Sequence, residues 1–293
     1  MKKANDKQIF LNIILILLCV IVIAPMVLLV SVSLSSEADI AEHGYSFIPR
    51  KIDFTAYEYV FKNPDTIIQA YKVTAFYSIV AMVFSVLFMA MMAYMLSVKI
   101  LKGRSVIALV LYFTNLFGGG MVANYLVYTQ LYGMGDTIWM YIVPGLISPW
   151  YVFMIRTSMQ AIPEEISESA FMDGASEYRI FFQMILPLSK PVLATIALFT
   201  FLAKWNDWNT SMIYINNPDL MSLQYQLQRI LHNITAMLEA EQSGMGQSMD
   251  LSQIPTETAR MAMAVVVAGP ALLVFPFFQK YFTKGLTVGS VKG

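Results

Sequence analysis

The sequence predicts an all-α membrane protein with six transmembrane helices, and three observations predict it. Of the 293 residues, 57% are hydrophobic and only 13% charged, about half the share of charge in a soluble domain, which is roughly 25%. Long apolar runs recur along the chain, several reaching the roughly 20 residues a helix needs to cross a bilayer. The charged residues collect between those runs and at their ends. Net charge is zero, which removes the electrostatic argument for nucleic acid as a partner. The single cysteine, Cys19, lies inside an apolar run, so neither a disulfide framework nor a thiol metal site is expected. His43 and His232 sit far apart in polar segments, which argues against a histidine metal cluster.

The elements follow in order. Met1–Gln8 is short and basic, and Ile9–Leu34 is almost unbroken hydrocarbon. A cleaved signal peptide would end after about 7–15 apolar residues at a small-residue site. This run continues past Pro25, so it reads as the first span with a tolerated kink. Ser35–Lys72 is mixed, with turn residues at Gly44, Pro49 and Pro64, and Val73–Val98 is the second span. Ser105–Leu131 is the third, interrupted by Gly118-Gly119-Gly120 and flanked at the break by Asn115 and Asn124. Irregular backbone at membrane depth survives only where protein or water covers it. Asn115, Gly119 and Asn124 therefore either pack against a neighbouring helix or line a substrate path.

Thr137–Met159 is the fourth span, with Pro144, Gly145 and Pro149 inside it. Trp139, Tyr141, Trp150 and Tyr151 mark where rings meet headgroups or a pore. The interval Pro163–Pro191 is too polar for lipid and too apolar for a solvated linker. Val192–Ala203 with its flanks makes the fifth span, ending in Lys204-Trp205-Asn206-Asp207-Trp208. Asn209–Arg260 is polar, and Leu223–Leu238 within it has apolar residues at helical spacing, a surface helix with one buried face. Met261–Phe278 is the sixth span, and Gln279–Gly293 is a tail bearing Lys280, Lys284 and Lys292.

Orientation follows from Lys and Arg, which favour the cytoplasmic loops. Lys99, Lys102 and Arg104 crowd the connection between spans two and three, and the connection between spans three and four has no cation. Both ends are then cytoplasmic, and so is 160–190. Segments 35–72 and 209–260 fall outside the cell, and 279–293 is a cytoplasmic tail.

Away from their ends, the spans contain no Asp, Glu, Lys, Arg or His, the usual sign of proton- or ion-coupled carriers. A sodium site made of carbonyls alone remains open. The chain also lacks the phosphate-cradling pattern GxxxxGK[ST]. Energy for uphill transport would have to come from another subunit, through a cytoplasmic handle. Pro163–Pro191 has the makings of one. Pro163 with Glu164 and Glu165 starts a helix, Gly174 turns the backbone, and Asp173 or Ser176 can cap a second helix. That second helix, Tyr178–Leu186, is expected to stop at Pro187. Small residues at the corner would let the knob enter a groove closely.

Glu168-Ser169-Ala170, then Gly174, then Leu186-Pro187 resembles the EAA loop of binding-protein-dependent ABC importer permeases. The departures are Ser169 for an alanine and Met184 for an isoleucine, both conservative. Asp173-Gly174-Ala175, Trp205-Asn206-x-Trp208, Pro255-Thr256-Glu257-Thr258 and the ending through Lys284-Gly285 to Lys292-Gly293 resemble the carbohydrate-uptake branch. Within it they are most similar to the second, maltose-type permease of systems for complex polysaccharide fragments. The resemblance implies a single permease domain over residues 1–293 with a MetI-like fold in a bacterial cell membrane. It also implies partners: a homologous second permease, two cytoplasmic ATPase subunits that bind the ATP and Mg, and an extracytoplasmic solute-binding protein. This chain would carry no cofactor and no catalytic residue.

Glu168, Ser169, Ala170, Asp173, Gly174, Ala175, Leu186 and Pro187 would then form the coupling loop that docks on the ATPase. The tail residues Lys284, Gly285 and Lys292 would reach toward the same subunit, or face the anionic leaflet. Trp205 and Trp208 can stack on sugar faces while Asn206 bonds hydroxyls, or they belong to an aromatic belt. In maltose-type systems the partner permease carries most sugar contacts. Two other classes compete with this reading: a stand-alone channel, and a membrane enzyme, for which the spans hold no catalytic constellation.

Overall fold

The computed structural model describes residues 2–99, 101–242 and 255–289, and it is mostly helical, with no named strand among them. The helices are α1 (Lys2–Ser33), α2 (Glu37–His43), α3 (Thr55–Val60), α4 (Pro64–Ser97), α5 (Arg104–Leu116), α6 (Gly120–Leu126), α7 (Trp139–Ile142), α8 (Pro149–Gln160) and α9 (Glu164–Met172). They continue as α10 (Glu177–Ile180), α11 (Leu186–Leu188), α12 (Lys190–Trp205), α13 (Asn209–Tyr214), α14 (Leu223–Gln242) and α15 (Glu257–Gly289). π-helical turns follow α6 at Val127–Leu131 and α10 at Phe181–Ile185.

Among the described residues, three stretches are long and apolar enough to cross a membrane as single helices: Gln8–Ser33, Pro64–Ser97 and Glu257–Gln279. α1 keeps its helix through Pro25. The third predicted span is not one rod. Arg104–Leu116 and Gly120–Leu131 meet at 113°, because Phe117 turns extended and Gly120 takes φ +80°. The fourth predicted span is also broken. Val143–Ser148 separates α7 from α8, and α8 with 12 residues is about 18 Å long, short of the roughly 30 Å hydrocarbon core.

A further correction concerns Pro187, which does not stop its helix. In α register its ring would clash with the Gln183 carbonyl and leave that group unpaired. The wider π turn at Phe181–Ile185 relieves this, and the helix runs on to Leu188. The bend comes at Ser189, where α12 departs at 78°. α15, the sixth predicted span, in turn passes beyond Phe278 to Gly289, so the predicted tail begins as helix.

The chain forms two compact units. One comprises Met1–Ile67 with Gln226–Pro270. Its α1 is exposed along the apolar face from Ile9 to Ile23, the condition of a helix meant for lipid or a partner. The link after α1 is fixed by polar contacts: Ser31 Oγ donates to Ser46 O at 2.7 Å, and Ser33 Oγ meets Tyr57 Oη at 2.9 Å. Glu37 makes the strongest tie. One carboxylate oxygen accepts from Thr256 Oγ1 (2.6 Å) and Glu257 N (2.9 Å), the other from Thr258 Oγ1 (2.6 Å) and Thr258 N (2.9 Å). These are the donors a helix N-terminus leaves open, and the carboxylate also suits the positive end of the α15 dipole.

The other unit comprises Ile68–Tyr225 with Ala271–Gly293. One core cluster joins Met89, Ala93 and Leu96 of α4, Ile155 of α8, Ala170 of α9, Ile180 and Ile185, and Ile196 of α12. A second joins Val73, Tyr77 and Ala81 of α4 to Tyr141, Ile215 and Met221. α4 thus backs both clusters. The predicted surface helix over Leu223–Leu238 is α14, with Leu223, Leu227 and Ile234 buried.

Candidate coupling loop and solute path

α9 begins at Pro163 with Glu164 and Glu165 in its first turn, where negative charge offsets the open N–H groups. It ends in paired backbone bonds: Gly174 N donates to Phe171 O and Ala175 N to Ala170 O, both at 3.0 Å. This pattern satisfies the last carbonyls and needs a left-handed residue between them; Gly174 has φ +78°. A Cβ at Gly174 would meet nothing within 4 Å, so backbone conformation, not space, selects glycine. Beneath the corner Ala170 is buried and Ala175 packs against the same cluster. Ser176 Oγ then accepts from Arg179 N at 3.4 Å and opens the second arm.

The turn therefore presents its outer side. Met172 is 88% and Tyr178 80% exposed, and Glu168, Ser169 and Asp173 are exposed beside them. Leu186 and Pro187 are half-buried at the base of the second arm. Both arms are tied to the end of α4. Lys99 Nζ pairs with the Glu164 carboxylate on the first. Tyr94 Oη donates to Glu177 Oε2 at 2.5 Å on the second, with its ring 5.1 Å from that of Phe181. Between the ties lies a cavity of about 500 Å³ lined by Lys99, Arg104, Glu164, Glu168 and Glu177 among others. Neither tie was visible in the sequence, because each joins residues 65 or more positions apart.

The residues predicted for a solute path are only partly open. Trp205 is 3% exposed, stacked on Phe201 at 5.7 Å and tilted against Tyr71 at 6.3 Å. Both readings of it, sugar contact and membrane belt, give way to core packing. Trp208 is 37% exposed. Asn206 spends its amide locally, donating from Nδ2 to Leu202 O at 2.9 Å and accepting at Oδ1 from Gln224 Nε2 at 3.0 Å. Asn115, Gly119 and Asn124 are exposed at the break of the third span, with Ala123 and Asn124 the nearest neighbours of Gly119. Lys284 and Gly285 lie on the last turns of α15, and Lys292 lies outside the described residues.

Lys204 has a role the sequence reading missed. Its Nζ donates to Tyr141 O at 2.6 Å and Pro144 O at 3.0 Å, capping carbonyls that the break between α7 and α8 leaves open. Tyr141 stacks on Tyr77 with centroids 4.2 Å apart and bonds Ser211 Oγ (2.6 Å) and Leu220 O (2.9 Å). Lys204→Met is expected to strand both carbonyls and cost about 2–3 kcal/mol. A thermal melt of the detergent-solubilised protein would register this as a lowered midpoint, and an unchanged midpoint would refute the capping role.

Comparison with known proteins places this helical, multi-pass chain among ABC transporter permeases, membrane transport subunits rather than enzymes. The chain belongs to the family described as binding-protein-dependent transport system inner membrane component, which matches residues 66–288. It is 36% identical over 273 residues to Protein LplC of Bacillus subtilis (strain 168), covering 93% of this chain and 90% of that protein. It is 34% identical over 279 residues to the polygalacturonan/rhamnogalacturonan transport system permease protein YtcP of the same organism, covering 95% and 96%. Among solved structures it is similar to a chain of a bacterial ABC transporter involved in the import of the acidic polysaccharide alginate. The TM-score is 0.78 at 26% identity, covering 96% of this chain and 98% of that one. The fold is the MetI-like permease fold, and the family implies a partner permease, ATPase subunits and a solute-binding protein.

Proposed function

We propose that this chain is one permease of an ATP-driven importer for oligosaccharides released from complex polysaccharides. The observation that carries it is the Gly174 corner: an αL-capped turn with exposed Met172 and Tyr178, braced from behind by α4. The names of its relatives supply the solute class. Deleting the gene in its own cell is expected to abolish uptake of labelled oligosaccharide and leave monosaccharide uptake intact. Undiminished oligosaccharide uptake would refute the assignment.

In this reading the chain is one permease domain crossing the membrane six times with both ends in the cytoplasm. The bent pair Arg104–Leu131, the broken 137–160 segment and α12 supply the three crossings beyond α1, α4 and α15. Residues 160–190 dock on one of two ATPase subunits, which hold the ATP and Mg. Segments 35–72 and 209–260 meet the binding protein, and Lys284, Gly285 and Lys292 extend toward the ATPase. Asn115, Gly119, Asn124 and Trp208 border the solute path. Met172→Cys, made in a Cys19→Ala background, is expected to react with a membrane-impermeant maleimide only in inside-out vesicles; labelling in intact cells would reverse the topology.

The ties to α4 give the loop its leverage. A surface ion pair such as Lys99–Glu164 contributes about 0–1 kcal/mol to stability, so Lys99→Glu should fold normally. It is expected to lower the amount of solute carried per ATP, and Glu164→Lys in the same chain is expected to restore it. Equal ratios in wild type and single variant would remove the tie from the coupling route.

A further inference from the structure

Beyond the Gly118–Gly120 break, the chain carries Tyr125, Tyr128 and Tyr132 around the π turn Val127–Leu131. Such turns are frequent at functional sites. Tyr214, from the end of α13, joins them: its ring stacks on Tyr125 (5.7 Å, 21°) and stands edge-on to Tyr128 (6.3 Å, 82°), while Tyr128 and Tyr132 lie 6.4 Å apart. Four rings from two distant stretches of chain make one platform.

The platform is fixed from behind. Asp136 N donates to Tyr214 O at 2.9 Å, and Asp136 Oδ1 accepts from the backbone N–H of Asn216 (2.9 Å) and Asn217 (2.7 Å). Asp136 does this at φ +58°, a conformation few non-glycine residues adopt. Met134 N donates to Tyr128 O at 2.9 Å, and Tyr128 and Tyr214 pack on the cluster of Tyr141, Ile215 and Met221. The outer rings stay open, Tyr125 42% and Tyr132 59% exposed. Belt residues are placed by the level of the headgroups. These rings instead stack on one another beside a helix bent by 113°, where open backbone groups require a polar or protein cover.

We propose that this tyrosine platform is a solute subsite within this chain, taking the C–H face of a pyranose ring in an oligosaccharide. The inference rests on the sugar-import reading above. A pyranose ring offers C–H bonds on a face and hydroxyls at its rim; a tyrosine offers a negative ring face and a phenol that can donate or accept. Neighbouring rings held about 6 Å apart let an oligomer be passed from one to the next. Trp205, buried in the core, leaves this role to the tyrosines.

The test uses the complete importer in liposomes: this chain with its partner permease, ATPase subunits and binding protein. Uptake of polygalacturonan and rhamnogalacturonan oligomers is measured beside binding-protein-stimulated ATP hydrolysis. Tyr125→Ala and Tyr132→Ala are expected to lower uptake about three- to tenfold, the worth of one aromatic contact, with hydrolysis retained. Tyr125→Phe and Tyr132→Phe keep the ring and most of the uptake. Wild-type uptake in both alanine variants overturns the subsite. A parallel fall of uptake and hydrolysis also overturns it, by making the rings a packing surface for the partner permease. Wild-type importer that carries none of these oligomers fails earlier, at the sugar-import reading on which the subsite depends.

Discussion

Gly174→Arg is expected to abolish uptake by the assembled importer while the chain still folds and reaches the membrane. At φ +78° an L-residue carries strain, about 1–2 kcal/mol, a small cost beside the buried clusters that hold this unit together. Gly174→Ala isolates that strain, since its Cβ meets nothing within 4 Å, and it should keep most of its uptake. Arginine adds a long cation to the corner proposed to enter the ATPase groove. The contrast separates docking from stability. Membrane level, co-purification of the ATPase and uptake would be measured for both variants. Normal uptake in Gly174→Arg would remove the corner from the docking surface.

Glu37→Ala should be among the most damaging changes outside the loop. Its four hydrogen bonds close the N-terminus of α15, and bonds to a charged group contribute about 1.5–3 kcal/mol each when buried. The group is half open to solvent, and the net loss is expected to be about 2–3 kcal/mol, with the α15 donors left unpaired. Burial by itself would raise the carboxyl, but the bonds from Thr256, Thr258 and the Glu257 and Thr258 amides outweigh it and hold the group below its ordinary 4.5. A lowered folded value means the stabilisation is complete above that ordinary value and is lost as pH falls through the folded one. The wild-type melting midpoint should therefore drop with acidification below about pH 4.5, and that part of the drop should vanish in Glu37→Ala. Identical midpoints at pH 7 would discard the clamp.

Much of this architecture can be read along the chain. Apolar length announces α1, α4 and α15, and the Pro163 start with the Gly174 corner announces the two-armed loop, because caps and left-handed turns are local. What stays hidden is whatever depends on distant partners or on how a helix copes with a defect. Pro187 reads as a stop until the π turn before it is seen to make room. Trp205 reads as a surface ring because its neighbours are polar, yet it faces Phe201 and Tyr71. Lys204 reads as a flanking charge, and only the folded chain brings it to the carbonyls of Tyr141 and Pro144. The tyrosine platform escapes notice for the same reason, since Tyr214 reaches Tyr125 only through the Asp136 bracket.

This chain is expected to carry oligosaccharide only when an ATPase drives it through the 160–190 loop. Labelled oligosaccharide uptake into liposomes measures it directly, comparing the complete importer with and without ATP against this chain alone. Accumulation is expected in the complete importer with ATP, and none in the other two. Solute flux through this chain alone would contradict it and make the protein a channel.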